Sequence, residues 1–373
     1  GVVYHDGQFD DARLALNLAQ TLHEQGGLAL NYCKVSALLK DQAGNVAGVE
    51  ARELETGRQF SIHAKAVINA TGVFADDILQ MDNPSAPKSI RPSQGVHLVV
   101  DKSFYPSEHA LMIPATSDGR VLFAVPWHEK VVLGTTDTPI DHASQEPVAL
   151  EKEIQFILDT ATQYLSKAPH RSDVLSVFAG LRPLAAPKDG QTKTKEISRS
   201  HKIEVTQSGL FSISGGKWTT YRRMGQDLMD EVEKVKNWPG KKSGTASLPI
   251  HGFKETANWN DPLFYYGSDS AIIKQQIERQ PNGWLSKEYA LHEVQVRWAV
   301  QHEMARTVED VLARRARILF LDAKVASALA APVASVMADE LHKDQQWQEE
   351  QTASFKKLAH NYQLSLAHTV GAN

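Results

Sequence analysis

Apolar residues recur along this chain with two different periods, and the switches between them mark out its elements. Leu14, Leu18 and Leu22 fall on one face of a helix that starts at Asp10 or Asp11, runs to about Glu24 and ends at Gly26-Gly27. Residues 28–40 and 45–65 then read as strands, with turns at Ala43-Gly44-Asn45 and Thr56-Gly57. Lys65 to Ala70, KAVINA, is a short buried strand that runs straight into Thr71-Gly72 and a helix, VFADDIL. A buried strand leading through a glycine turn to a helix start is the geometry of a dinucleotide site.

From Arg91 the pattern becomes that of antiparallel strands: GVHLVVD, ALMIPA, RVLFAVPWHEK and VVLGTTDT, with a turn at Ser117-Asp118-Gly119. Leu150 to Leu165 is a helix with Ile154, Ile157, Leu158 and Leu165 inward. The strand VLSVFAGLRPL follows, then a lysine-rich loop from Pro187 to Lys195, then the strands KEISRSHKIEVTQ and LFSIS. These lead into Ser214 to Leu228, where Gly215-Gly216 allows a tight turn and Thr219 or Thr220 can cap a helix. Tyr221, Met224, Gly225, Leu228, Val232 and Val235 share one face of that helix. Its first turn is left to meet an anion or a partly negative carbonyl. After a linker at residues 238–249 the pattern is helical: Ala271 to Glu278, Glu288 to Met304, Val308 to Phe320, Ala323 to Leu341 and Gln346 to Tyr362.

With 373 residues and 42% hydrophobic content, the chain can bury a core across two or three domains. A net charge of -4 and a pI near 6.5 give no global attraction to nucleic acid. The one cysteine, Cys33, excludes an internal disulfide and reads as a buried structural thiol. No apolar run approaches the roughly 20 residues needed to span a bilayer, so membrane contact is expected to be peripheral. The opening GVVYHDGQFDD, without methionine, reads as the middle of a longer protein.

Arg182, Arg199 and Lys217 each end an apolar strand segment, where side chains project into clefts, and three converging cations would suit an anionic substrate. The turn Gly134-Thr135-Thr136-Asp137 offers hydroxyls and a carboxylate to the same cleft, or simply bonds its own backbone. His97 and His128 read as packing residues beside strands. Glu309 to Arg317, EDVLARRAR, reads as a solvated helix face with Val308, Val311 and Leu312 inward. There is no HExxH, no paired cysteine and no GxSxG, so no metal site is expected.

In order along the chain, YHDGQFDDARL, INATGVFADD, RPSQGVHLVVD, VPWHEKVVLGTTDTP, AGLRPL, SRSHKIEV, SGGKWTTYRRM and EMARTVEDVLARRARILFLD resemble the FAD-dependent glycerol-3-phosphate dehydrogenases, a branch of the amino-acid-oxidase-like flavoproteins. The resemblance implies a partial FAD-binding domain at 1–90, an antiparallel substrate domain at 91–213, a flavin-facing helix at 214–240 returning to the first domain, and an all-helical domain at 241–373. It implies oxidation of sn-glycerol 3-phosphate to dihydroxyacetone phosphate, with electrons passed to quinone. Arg182, Arg199, Lys217, Thr135 and Thr136 match its substrate pocket, with Arg182 and Lys217 in catalytic roles. Thr71, Gly72, Gly215, Gly216, Lys217, Trp218, Thr219 and Thr220 match its flavin contacts.

The chain departs from the family in one respect: it contains no GxGxxG turn for the ADP half of FAD. The expectation is therefore weak or absent FAD binding and no activity for the chain alone. An oxygen-using oxidase, an amino-acid oxidase relative and a non-catalytic interaction or membrane-docking fragment are the competing readings. Cytoplasmic location, at the inner face of the membrane, and a homodimer are further expectations.

Overall fold

The computed structural model describes residues 2–117, 119–185 and 201–364. Helix α1 (Asp11–Glu24) is capped by Asp10, whose carboxylate accepts from the Arg13 amide at 2.9 Å. Its buried face runs through Arg13, Leu16 and Thr21, while Leu22 is 47% exposed. The inward stripe is thus turned from the leucine line, because Arg13 is drawn into the interior by an ion pair with Glu303. Three antiparallel strands follow, β1 (Cys33–Lys40), β2 (Val46–Glu53) and β3 (Gln59–His63). Cys33 is only partly buried on the first of these. The two-residue β4 (Ile68–Asn69) then runs through a 3-10 turn at Gly72–Phe74 into α2 (Ala75–Asp82).

The next layer is one antiparallel sheet. It holds β5 (Ile90–Asp101), β6 (Leu111–Ile113), β7 (Leu122–Trp127), β8 (Lys130–Gly134), β9 (Thr138–Pro139) and, after α3 (Glu151–Tyr164), β10 (Val174–Ala185). The order is β10-β5-β8-β7-β6, with β9 paired to β5. Helix α3 lays Ile154, Ile157, Leu158 and Ala161 on Val96, Leu98, Val100 and Leu133. Each such fully buried aliphatic side chain contributes about 1.5–3 kcal/mol of transfer free energy. The sheet's outer strand β10 does not face open solvent: the Val177 amide donates to the Tyr362 carbonyl at 2.9 Å, and the Ser176 hydroxyl to the Leu319 carbonyl at 2.8 Å.

Strands β11 (His201–Val205) and β12 (Phe211–Gly215) pair with each other antiparallel, and β12 pairs parallel with β4. The sheet of the Thr71 turn therefore takes in residues 201–215, and a division of the chain at 213/214 would cut through β12. Helix α4 (Tyr221–Val235) packs Leu228 and Val232 on Phe211 and Ile213, while Val235, placed inward by periodicity, is 42% exposed at the helix end.

The remainder is α5 (Ser270–Arg279), β13 (Trp284–Ser286), β14 (Leu291–His292), α6 (Glu293–His302), α7 (Ile318–Leu321), α8 (Ala323–Leu341) and α9 (Gln345–His360). The helix expected from Glu288 begins only at Glu293, because His292 caps it, accepting from the Val294 amide at 3.1 Å. The helix expected over Val308 to Phe320 is a π-helical turn at Asp310–Arg315, broken at Arg317, which has φ 61°. Nor is its charged run a solvated face: Asp310 and Arg315 are buried. The Arg315 guanidinium donates to the Glu303 carbonyl, and Tyr32 donates to Asp310 at 2.7 Å. Among the described residues no helix is long and apolar enough to cross a membrane.

Candidate active site

Strand register assembles the site. Pairing of β5 with β10 sets Ser93 opposite Arg182, Gly95 opposite Gly180 and His97 opposite Phe178, and pairing with β8 sets His97 opposite Gly134. Directly opposed residues share a face of the sheet, so these form one continuous patch. Its centre has no side chains. A Cβ on Gly180 would meet nothing within 4 Å, which leaves the backbone open to a ligand.

Over Gly95 lies the Arg182 guanidinium. A Cβ on Gly95 would collide with both Nη atoms and stand 2.7 Å from Thr135 Oγ1, so the glycine makes room for this arginine. Nη2 donates to Thr135 Oγ1 at 3.2 Å, and Nη1 to the Thr136 carbonyl at 3.2 Å and to Asp137 Oδ1 at 3.5 Å. Asp137 also accepts from the Ser93 hydroxyl. The Arg182 side chain remains 37% exposed, so its charge reaches the cleft. The Thr135–Asp137 turn therefore does more than bond its own backbone: it holds Arg182.

His97 stacks on Phe178 with ring centroids 5.1 Å apart and packs on Gly134. Burial, aided by the nearby Arg182 charge and opposed by Asp11, pushes its imidazole down to about 4, so it is neutral at physiological pH. Sequence reading named Asp137 in its turn, left His97 as a packing residue and passed over Gly95; the spacing of Ser93, Gly95 and His97 along one strand face was the available signal.

Two glycine turns lie beside these strands. The Gly72–Phe74 turn, with Gly72 at φ 61°, touches β5, β10 and β12. Buried Asn69 fixes it, accepting from the Thr71 hydroxyl at 2.7 Å and donating to the Ala75 carbonyl at 2.9 Å and to Ser212 Oγ at 3.1 Å. After β12, Gly215 and Gly216 adopt φ 70° and 74°. A Cβ on Gly216 would lie 2.6 Å from Met224 Sδ, so the turn sits tight on α4.

Lys217, Trp218, Thr219 and Thr220 are all exposed at the start of α4. Neither threonine caps the helix; the Thr220 hydroxyl donates back to the Lys217 carbonyl at 2.9 Å, and the Thr220 and Tyr221 amides donate to the Lys217 and Trp218 carbonyls. Lys217 makes no ion pair among the described residues and does not touch Arg182, although β10 and β12 lie side by side. Arg199 lies outside the described residues, as do Asp118 and the loop 187–195.

A cavity of about 580 Å³ lies elsewhere, between α1, the β7–β8 turn and residues 252–270, bordered by Phe9, Arg13, His128, Trp259, Phe264 and Tyr265. None of the candidate site residues borders it. The chemistry of the Gly95–Arg182 patch, not the size of this cavity, marks the candidate site.

A parallel strand pair entering two glycine turns, set against an antiparallel sheet with a fixed arginine, is the layout of a flavoprotein oxidoreductase. Residues 1–222 match the model of the FAD dependent oxidoreductases and residues 211–351 that of the C-terminal domain of alpha-glycerophosphate oxidase, and the chain belongs to the FAD-dependent oxidoreductase family. It is 35% identical to the human mitochondrial glycerol-3-phosphate dehydrogenase over 96% of its own length and 53% of that protein's, and 36% identical to the Saccharomyces cerevisiae enzyme over 95% and 67%. The glycerol-3-phosphate dehydrogenase of Bacillus halodurans, solved in complex with FAD, superposes with a TM-score of 0.81 at 29% identity, covering 97% of this chain and 75% of that one. The chain thus spans about half the length of the mammalian relatives it matches.

Proposed function

We propose that this chain is the substrate-facing part of an enzyme that oxidises sn-glycerol 3-phosphate to dihydroxyacetone phosphate with FAD. The observation that carries the reading is Arg182, locked over Gly95 by Thr135, Thr136 and Asp137 on strands that the Gly72–Phe74 turn touches. The residues present suit the ring end of FAD, because Gly72, Gly215 and Gly216 admit a close backbone approach and the α4 start is open. When bound, FAD supplies the acceptor for the hydride lost from the alcohol carbon.

The remaining work falls to this chain's side chains. Arg182 orients the substrate oxygens and stabilises the negative charge that develops on the reacting hydroxyl. Neutral His97, on the same patch, can take a proton at a ring nitrogen. Lys217 and Arg199 supply the further positive charge that a phosphate needs, and the N–H groups of Trp218 and Thr219 favour a partly negative ring carbonyl. Anaerobic addition of glycerol 3-phosphate to the flavin-loaded enzyme is expected to bleach the flavin absorbance; an unchanged spectrum contradicts the reading.

Quinone as acceptor, peripheral contact with the inner face of the membrane and a homodimer belong to the same proposal, and stoichiometric peroxide in air contradicts the quinone assignment. The sequence has no GxGxxG to hold the ADP half. This chain by itself is therefore expected to retain little FAD, and a purified chain with one flavin per molecule contradicts that.

A further inference from the structure

The Arg182 hydrogen bonds described above fall on one short segment, Thr135-Thr136-Asp137, and that segment is itself tied to a buried acid. Glu153, on the first turn of α3, is 2% exposed. Its Oε1 accepts from Thr136 Oγ1 at 2.9 Å and Thr138 Oγ1 at 2.6 Å, and its Oε2 from Gln94 Nε2 at 2.8 Å and the Leu150 amide at 2.9 Å. The Leu150 bond satisfies an amide at the helix start, which by itself needs no burial. Of the other three, those from Thr136 and Thr138 hold the turn and that from Gln94 ties the acid to β5. Because Thr136 Oγ1 donates to Glu153, its lone pairs accept from the Val96 amide at 3.0 Å. The hydroxyl is thereby fixed from two sides, and with it the direction of the Thr136 carbonyl that Arg182 binds.

From this geometry we propose that Glu153 is a positioning residue for Arg182, acting through Thr136 and Thr138; this rests on the reading of the cleft given above. A carboxylate buried without a cation is costly unless every lone pair is used, so the surrounding hydroxyls are committed to one arrangement. The guanidinium is then presented to an anion already oriented, with less ordering left to be supplied on binding. Helix α3, which also packs apolar side chains on the sheet, becomes the support of the site's cation.

The test compares Glu153→Gln, Thr136→Val and Thr138→Val with Glu151→Gln, a control on the same helix turn whose acid pairs on the surface with Arg171, and with Arg182→Ala. Three quantities are read in the flavin-loaded enzyme: the Michaelis constant and kcat for glycerol 3-phosphate, the thermal midpoint, and the rotation rate of the Arg182 guanidinium by NMR of arginine-labelled protein. Thr136→Val and Glu153→Gln are expected to raise the Michaelis constant on the order of 10-fold, as for a lost hydrogen bond to a charged group. They are also expected to free the Arg182 guanidinium, and Thr138→Val to do both more weakly. If the thermal midpoint falls while the Michaelis constant and the Arg182 rotation stay at control values, Glu153 is only structural and the proposal is overturned. If Arg182→Ala itself leaves the Michaelis constant unchanged, the reading of the cleft fails. The NMR measurement decides the positioning role in that case too, since it needs no substrate. Should Glu153→Gln not fold, the two threonine variants carry the test.

Discussion

Gly95 and His97 decide how the cleft works. A methyl on Gly95 would press on the far end of the Arg182 side chain, which can move, and not on backbone. Gly95→Ala is therefore expected to abolish most flavin reduction by glycerol 3-phosphate while costing less than about 1 kcal/mol in stability, read by activity and denaturant titration together. Loss of fold instead of loss of activity counts against it. His97 sets a pH dependence. Its folded pKa of about 4 lies below its ordinary value, so the unfolded chain binds the extra proton between about pH 6.5 and 4. Stability is full above that window and falls as the pH drops through it, by at most about 3 kcal/mol and less for the part of the ring that solvent reaches. His97→Phe should flatten this slope in urea melts. Arg182, Thr135 and Thr136 were legible because strand ends and glycine turns are written in the local sequence. The place of Gly95 under Arg182 and of His97 beside it was not, because it comes from the register between strands far apart in the chain.

The elements are joined by buried ions that periodicity does not show. Arg13 of α1 pairs with Glu303, both buried, and its guanidinium lies 5.3 Å and 4.8 Å from the ring centres of Tyr265 and Tyr266. Removing one partner strands the other charge, so Glu303→Gln is expected to destabilise the fold by about 3–5 kcal/mol, measured by denaturant titration. A loss under about 1 kcal/mol is incompatible with this contact. A second joint runs through His251, which reaches Glu24 at 2.5 Å through Nδ1 and Asp269 at 2.8 Å through Nε2. The two acids raise its pKa against an opposing burial effect. This contribution is complete below the unfolded value of about 6.5 and is lost as the pH rises through the raised folded value. Midpoints of wild type and His251→Gln should therefore converge at alkaline pH. The hydrophobic periods made α3, α8 and α9 legible, because one face of each meets a single core. They misplaced the inward face of α1 and the run from Glu309 to Arg317, where charged side chains, not leucines, point inward to meet each other.

At the scale of the whole molecule, two parallel strands lead into two glycine turns beside an antiparallel sheet that holds an arginine ready, and a helical domain braces the sheet's outer strand. The sequence showed each turn and each layer. It did not show that β11 joins the sheet of β4, since pairing partners are not encoded locally. The central claim is that Arg182, held over Gly95, recognises a phosphorylated alcohol for oxidation. Anaerobic stopped-flow reduction of the flavin-loaded enzyme tests it most directly, with glycerol 3-phosphate against glycerol and wild type against Arg182→Ala. Rapid bleaching is expected only for wild type with the phosphate, slowed on the order of 100-fold in the variant. Equal rates in wild type and variant, or glycerol reducing the flavin as fast as its phosphate, would contradict it.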